Sequence, residues 1–194
     1  MKCAASPRSR AGITLVEMLI TVMVVGIIAA AAIPSMNSLI ERRRVIAAAG
    51  EIASIFAYAR SEANVVADKL NIHMEPVPSG EFSCIRVSTA KFIDTCKCNV
   101  AEDKVCSIGA GSLLREFMLP RDKSVTFAAE GTWATGKAYI VSLERDRHST
   151  TVQGVQVTVT GTRTHAQLRV EYNNAGRVRT CSPQGSISGF PVCA

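Results

Sequence analysis

The sequence lacks the motifs of the common enzyme classes. It contains no G-x-S-x-G nucleophile motif, no H-E-x-x-H zinc motif and no P-loop. Its three histidines are far apart and lack the spacing of metal ligands: His73, His148 and His165. We therefore predict that the protein is not an enzyme and has neither a cofactor nor a metal site.

The chain also lacks the paired C-x₂-C knuckles that are typical of structural zinc sites. One of its seven cysteines precedes a long apolar run. The other six are Cys84, Cys96, Cys98, Cys106, Cys181 and Cys193. An even number of cysteines in a small exported domain predicts disulfides, and loop lengths favour one between Cys181 and Cys193 and two among the other four. The alternative is that those four bind zinc as thiolates, although an oxidising compartment favours disulfides.

Charge is almost absent from Ile13 to Ile33, where Glu17 is the only charged side chain in 21 residues. About 20 apolar residues are enough to cross a membrane, so residues 13–33 are predicted to form a transmembrane helix. A carboxylate within such a helix costs roughly 2.5–3.5 kcal/mol. Glu17 therefore needs a partner outside its own helix. The preceding residues 1–12, "MKCAASPRSRAG", form a short basic segment.

A helical pattern continues through residues 34–66. Apolar residues recur there at spacings of three and four, as on one face of an amphipathic helix: Ile52, Phe56, Ala59, Ala63 and Val66. Charged residues lie largely off this face, among them Glu41, Arg42, Arg43, Arg44, Glu51 and Arg60. Proline removes a backbone donor and clashes with the preceding turn, so the pattern predicts a kink at Pro34.

Residues 67–194 show the shorter period of β-strands. Seven β-rich runs follow one another: "LNIHM", "SCIRV", "SVTFA", "KAYIV", "GVQVTVT", "HAQLRVEY" and "GRVRTC". Turn sequences such as "PVPSG" and "NNAG" separate them. The segment "CKCNVAEDKVCSIGAGS" has no period and is predicted to be a loop held by disulfides. The sequence therefore predicts an α+β fold, with the long helix packed on a small antiparallel β domain.

The N-terminal residues resemble the class III signal of type IV pilins and type II secretion pseudopilins. A basic leader ending in Gly12 is followed by "ITLVEMLI" and by an apolar helix that contains Pro34. The resemblance implies that a prepilin peptidase cuts between Gly12 and Ile13 and methylates the new N-terminus. Ile13 replaces the commoner Phe of the family. The resemblance also implies that Glu17 meets the N-terminal amine of a neighbouring subunit, and such pairing makes a buried carboxylate tolerable.

The remainder of the chain resembles the GspH/FimT family, on the long helix, the β domain, "LLREFMLP" and the C-terminal "GRVR". The family includes H-type pseudopilins, FimU-like minor pilins and FimT-like minor pilins that bind DNA during natural transformation. The resemblance implies a pilin-like protein of the bacterial inner membrane with a single span and a periplasmic β domain. It also implies a place in, or at the tip of, a filament built with other pilins or pseudopilins.

Positive charge is concentrated in residues 131–194, where seven Lys and Arg stand against three Asp and Glu. In "NNAGRVRTC" a turn is predicted to precede a strand whose Arg177 and Arg179 face solvent while Val178 faces the core. Arginine binds phosphate bidentately, so this pair, together with the FimT resemblance, predicts DNA binding. Arg169, Arg163 and Lys137 are expected to extend the patch, with Tyr172 or Phe190 under a base or sugar.

Two functions follow from these observations. The favoured one is a minor pilin that binds DNA for uptake through the basic C-terminal site. The alternative is a purely structural minor pilin or H-type pseudopilin, which primes filament assembly for adhesion, motility or type II secretion. In that case Arg177 and Arg179 would pair with Glu171 or line a subunit interface.

Overall fold

A computed structural model describes residues 12–66, 69–76, 82–90, 111–119, 124–131, 139–143, 145, 154–173 and 175–194. The chain divides into two compact units, Met1–Leu39 and Ile40–Ala194. The long helix α1, Leu15–Ala63, contributes residues to both.

Helix α1 begins and ends close to the predicted positions of Ile13 and about Val66. The Thr14 hydroxyl accepts a hydrogen bond from the backbone N–H of Glu17 at 3.3 Å, which is the N-cap contact of a helix. The 49 residues of α1 include Pro34. The kink at Pro34 stays a prediction.

The first unit exposes its apolar side chains. Between Ile13 and Ile33 the large hydrophobic residues are largely exposed, with Leu15 at 78% and Val22 at 68%. Among the described residues, α1 is the one helix that is long and apolar enough to cross a membrane, by length and composition. Such a surface is stable in lipid or against other apolar helices, because it buries almost nothing within its own unit.

In the second unit one face of α1 packs on a β-sheet. Its buried residues recur at helical spacing: Val45, Ala48, Ala49, Ile52, Ile55, Phe56, Ala59 and Ala63. The predicted apolar face is therefore confirmed from Ile52 to Ala63, whereas Val66 follows the end of α1 and is half-buried against the core. The ring of Phe56 stacks on that of Tyr172, with centroids 5.3 Å apart. Stacking of this kind adds about 0.5–1.5 kcal/mol to the stabilisation from burial.

In the part of the chain that the structure describes, the sheet is built from eight strands. They are β1 Leu70–Pro76, β2 Phe82–Ala90, β3 Gly111–Met118, β4 Val125–Gly131, β5 Tyr139–Leu143, β6 Val155–Gly161, β7 Gln167–Tyr172 and β8 Val178–Cys181. The order is β5-β1-β2-β4-β6-β7-β8, with β3 also paired to β2, and the strand pairs are antiparallel. The predicted α+β fold, a long helix on antiparallel strands, is confirmed.

Strand β3 was not among the seven predicted runs. Its side chains are exposed or only half-buried, so its sequence "GSLLREFM" does not alternate between apolar and polar residues. Polar contacts hold it to α1: Arg115 donates to the Ser54 hydroxyl at 2.9 Å and pairs with Glu51 at 3.2 Å. The predicted disulfide-held loop lies mostly outside the described residues, and its last two residues belong to β3.

A buried carboxylate joins α1 to the turn between β6 and β7. Glu41 was expected off the packed face, but it is only 3% exposed. Its Oε1 accepts hydrogen bonds from the Arg163 N–H at 3.0 Å, the Thr164 N–H at 2.7 Å and the Thr164 hydroxyl at 2.8 Å. A Cβ at Gly161 would lie 2.5 Å from the same oxygen, so only glycine leaves room for this arrangement. Burial alone raises the pKa of the Glu41 carboxyl, but the bonds from Thr164 and Arg163 outweigh it and lower that pKa.

We expect Glu41→Gln to lower the free energy of unfolding by about 2 kcal/mol at pH 7, because the acceptor of these hydrogen bonds loses its negative charge. A lowered folded-state pKa stabilises the protein above the unfolded-state pKa, and this contribution disappears as pH falls through the folded-state value. The difference between wild type and variant should therefore shrink in acid. Thermal unfolding of the full chain in detergent, followed by circular dichroism at several pH values, measures it.

Glu51→Gln is the matched control, because Glu51 lies on the same helix and forms an exposed ion pair. It should change stability by less than about 1 kcal/mol. A loss for Glu41→Gln no larger than this, or one that stays constant down to low pH, would contradict the role of the buried carboxylate.

Candidate nucleic-acid interface

The basic segment follows a tight turn between β7 and β8. Asn173 closes the turn: its N–H donates to the Arg177 carbonyl at 3.1 Å, and its side-chain oxygen accepts from the Arg177 N–H at 2.9 Å. Gly176 is buried and has a φ of 70°, in the left-handed region that favours glycine. The turn predicted from "NNAG" is therefore present, and its hydrogen bonds fix the backbone position of Arg177.

Arg177 and Arg179 are both exposed, and Val178 between them packs against the hydrophobic core. The two arginines therefore face solvent and Val178 faces the core, as strand alternation predicted, although β8 begins at Val178 and not at Arg177. Within the part of the chain that the structure describes, neither guanidinium forms an ion pair. Both are thus available to an external anion.

Arg169 lies on the same face of the sheet. It pairs in register with Cys181, while Arg179 pairs with Glu171. Arg169 and Arg179 are thus diagonal neighbours on adjacent strands, at a backbone distance of roughly 7–8 Å. Arg169 is half-buried, and its Nε is buried without a hydrogen-bond partner in the structure. The structure therefore brings three of the five predicted basic residues together.

Glu171 lies among these arginines but forms no ion pair with them in the described structure. Its Oε1 is 3.6 Å from the Cys181 sulfur. That sulfur belongs to a disulfide and carries no proton, so the contact is not a hydrogen bond. The predicted alternative, in which Glu171 neutralises Arg177 or Arg179, is not realised. On the described part of β7 and β8 this face carries three positive charges and the negative charge of Glu171, and Glu130 of β4 lies on the same face two strands away from Glu171.

Other predicted contributors lie elsewhere. Arg163 is exposed in the turn before β7, roughly 20 Å along the strand direction from Arg177, so it lies apart from the pair formed by Arg177 and Arg179. Lys137 lies outside the described residues. Tyr172 is 2% exposed and stacks on Phe56, so the prediction that it contacts a base was wrong. Phe190 is half-buried and packs against the core.

A disulfide joins Cys181 to Cys193, the pair that the loop length favoured. Closing so short a loop stabilises the fold by about 3 kcal/mol in the chain-entropy model. Ile187 within the loop is buried, and the Ser182 N–H donates to the Pro191 carbonyl at 2.8 Å. The C-terminal residues are thereby held next to β8.

The zinc alternative is contradicted at one residue, because Cys84 is disulfide-bonded and cannot supply a thiolate. Cys96, Cys98 and Cys106 lie outside the described residues, so their pairing stays a prediction. Among the described residues, the group whose geometry could suit a metal is Glu171, Cys181 and Cys193. Two of its members form a disulfide, so it has no thiolate ligand.

Arg60 is a residue of this region that the sequence did not reveal. It lies near the end of α1, and its Nη1 donates to the Gly176 carbonyl at 2.8 Å. The two residues are 116 positions apart in the chain. The local sequence around a charged helix residue does not indicate so distant a partner, because the contact depends on how the strands pack against the helix.

The N-terminal site comprises the residues around the start of α1. Gly12 and Ile13 precede the helix, and Glu17 lies exposed in its first turn. Thr14 and Glu17 have the spacing of a capping box, and a negative charge there is favourable at the positive end of the helix dipole. Pro34 lies within α1, and its side chain is outside the described set.

Parts of the chain are similar to known proteins. Residues 7–33 match the family model described as a prokaryotic N-terminal methylation motif. The type IV minor pilin FimU of Pseudomonas aeruginosa is a similar solved structure, with 16% identity, a TM-score of 0.46, and coverage of 73% of this chain and 90% of FimU. The minor pseudopilin EpsH of the Vibrio cholerae type 2 secretion system has 9% identity, a TM-score of 0.47, and coverage of 72% and 97%. A comparison with curated proteins finds no significant match.

The N-terminal methylation motif leads directly into a long apolar helix, and later residues of that helix pack on an antiparallel sheet. The chain is thus similar to the minor pilin FimU and to the minor pseudopilin EpsH.

Proposed function

We propose that the protein is a minor subunit of a type IV pilus or of a type II secretion-type filament. The observation that carries this proposal is the N-terminal methylation motif on a helix whose apolar side chains are exposed within their own unit. Such side chains need lipid before assembly and neighbouring helices afterwards. The basic leader favours the cytoplasmic side, which would place the β domain in the periplasm. Filament partners and a prepilin peptidase follow from this role.

We expect a prepilin peptidase to cleave after Gly12. The intact mass of protein extracted from membranes should show loss of residues 1–12 and one added methyl group. A Cβ added at Gly12 or at Gly26 meets no atom within 4 Å, so the chain itself presents no steric obstacle to a side chain starting at either position. Gly12→Val should block processing, because it changes the residue at the cut, and Gly26→Val should not. A wild-type chain that retains Met1, or that begins after Ala32, would contradict the proposed processing.

Glu17→Ala should leave the protein in the membrane but impair its incorporation into filaments. Removal of the charge makes insertion easier, while the partner for a neighbouring N-terminal amine is lost. Membrane fractionation and quantification of the subunit in sheared filaments measure the two effects. Thr14→Ala is the control, because it removes the helix cap and keeps the carboxylate. Equal impairment by both variants would assign Glu17 to capping and not to subunit pairing.

We further propose that the basic face binds DNA during uptake. Support comes from the exposure of Arg177 and Arg179, their lack of ion-pair partners among the described residues, and the position of Arg169 beside them. Guanidinium groups at neighbouring positions can each bind a backbone phosphate bidentately. Phosphates carry no base identity, so binding is expected to be independent of sequence.

DNA affinity of the full chain in detergent should fall steeply with salt. Each phosphate contact contributes about −0.9 to the slope of log affinity against log salt on duplex DNA. Arg177→Gln with Arg179→Gln should therefore reduce the slope by roughly two units, and it should leave folding intact because both side chains are exposed.

The matched control is Arg42→Gln with Arg43→Gln, which removes the same charge at exposed positions of α1. It should leave the slope nearly unchanged. If wild type does not bind at low salt, or if the two double variants behave alike, the DNA role fails. The protein would then be a structural minor pilin or pseudopilin.

A further inference from the structure

Among the described residues, Arg60 is the charged side chain of α1 that binds the turn between β7 and β8. Arg60 Nη1 donates to the Gly176 carbonyl at 2.8 Å, and Gly176 immediately precedes Arg177. The Gly176 N–H donates to the Asn173 carbonyl at 2.8 Å, and the Arg177 N–H donates to the Asn173 side chain at 2.9 Å. One chain of hydrogen bonds therefore runs from the helix through the turn to the first arginine of the site.

Arg60 lies next to core residues of α1. It lies one helical turn after Phe56, whose ring stacks on Tyr172 at the end of β7. The charge of Arg60 acts on the Tyr172 hydroxyl: burial raises the pKa of Tyr172, and Arg60 opposes that rise. The guanidinium therefore lies where β7 ends and the turn begins. It is half-buried, which strengthens a charged hydrogen bond relative to one in water.

We infer that Arg60 is the positioning residue of the basic site, because it fixes the Gly176 carbonyl and thereby the direction in which Arg177 and Arg179 project. The inference rests on the proposed DNA role and assigns Arg60 no contact with phosphate. A turn that is free to change conformation would have to be ordered when DNA binds, and that ordering reduces affinity. The hydrogen bond from Arg60 orders the turn when the protein folds, before DNA binds.

Arg60→Lys and Arg60→Gln test the inference together. Lysine keeps the charge but lacks the planar fork of arginine, so both variants should lose the ordered contact with Gly176. Each should weaken DNA binding about fivefold, the effect expected for one hydrogen bond, and leave the salt slope unchanged. A direct phosphate contact predicts a different pattern: Arg60→Lys would bind normally, and Arg60→Gln would lose about 0.9 of the slope.

Amide hydrogen exchange gives a readout that does not depend on DNA. The amides of Gly176 and Arg177 should exchange about tenfold faster in both variants, while the amides of β6 keep their wild-type rates. Arg43→Lys and Arg43→Gln are the matched controls, since Arg43 is exposed on the same helix. They should change neither exchange nor affinity.

Combining Arg60→Lys with the double variant of Arg177 and Arg179 distinguishes a positioning role of Arg60 from general destabilisation of the fold. In the background of Arg177→Gln and Arg179→Gln, the change Arg60→Lys should no longer affect DNA affinity, because the groups that it positions are absent. Unchanged exchange at Gly176 and Arg177, or normal DNA affinity of Arg60→Lys, would overturn the inference. Failure of the wild type to bind DNA would instead overturn the proposed DNA role, and exchange at the turn would then decide whether Arg60 holds it.

Discussion

The packing of α1 on the sheet is the interaction on which the rest of the second unit depends. Its buried side chains from Val45 to Ala63 supply one side of the core, and the inward residues of the strands supply the other. Removal of this apolar surface from water is the dominant stabilising contribution. The stack of Phe56 on Tyr172 fixes the end of β7 against the helix. The turn that carries Arg177 begins at the next residue, so its position follows from the core.

Two charged residues of α1 fix the position of β7 relative to the helix. Glu41 accepts hydrogen bonds from the turn before β7, and Arg60 donates one to the turn after it. They lie about 28 Å apart along the helix at 1.5 Å per residue. The Glu41 carboxylate accepts hydrogen bonds from backbone N–H groups, and the Arg60 guanidinium donates one to a backbone carbonyl. The first turn therefore supplies donors to a negative side chain, and the second supplies an acceptor to a positive one. Apolar packing alone tolerates sliding, whereas these contacts fix β7 at both ends.

Periodicity accounts for what the sequence could predict. The helical face of Ile52 and Phe56 and the exposure of Arg177 and Arg179 follow from periods of 3.6 and 2. The same alternation along "HAQLRVEY" places Tyr172 inward with Leu168 and Val170, so the sequence already argued against Tyr172 as a contact for bases. By contrast, β3 lacks alternation because it is only half-buried. Glu41 and Arg60 bind turns more than 100 residues away, and no local pattern encodes such pairs.

The charge balance of the basic face bears on how the proposed DNA role would operate. Among the described residues, Glu171 lies beside the three arginines without an ion pair to them, and Glu130 lies on the same face two strands away. The two carboxylates reduce the local potential but leave the guanidiniums of Arg177 and Arg179 exposed. A site with so few phosphate contacts binds weakly on its own, and its affinity falls quickly with salt. Several subunits in one filament would raise the effective concentration of sites along a DNA molecule. That gain is largest when each site is already ordered, because every additional contact then avoids the loss of conformational entropy. A turn anchored to the core helix meets this requirement better than a free loop would.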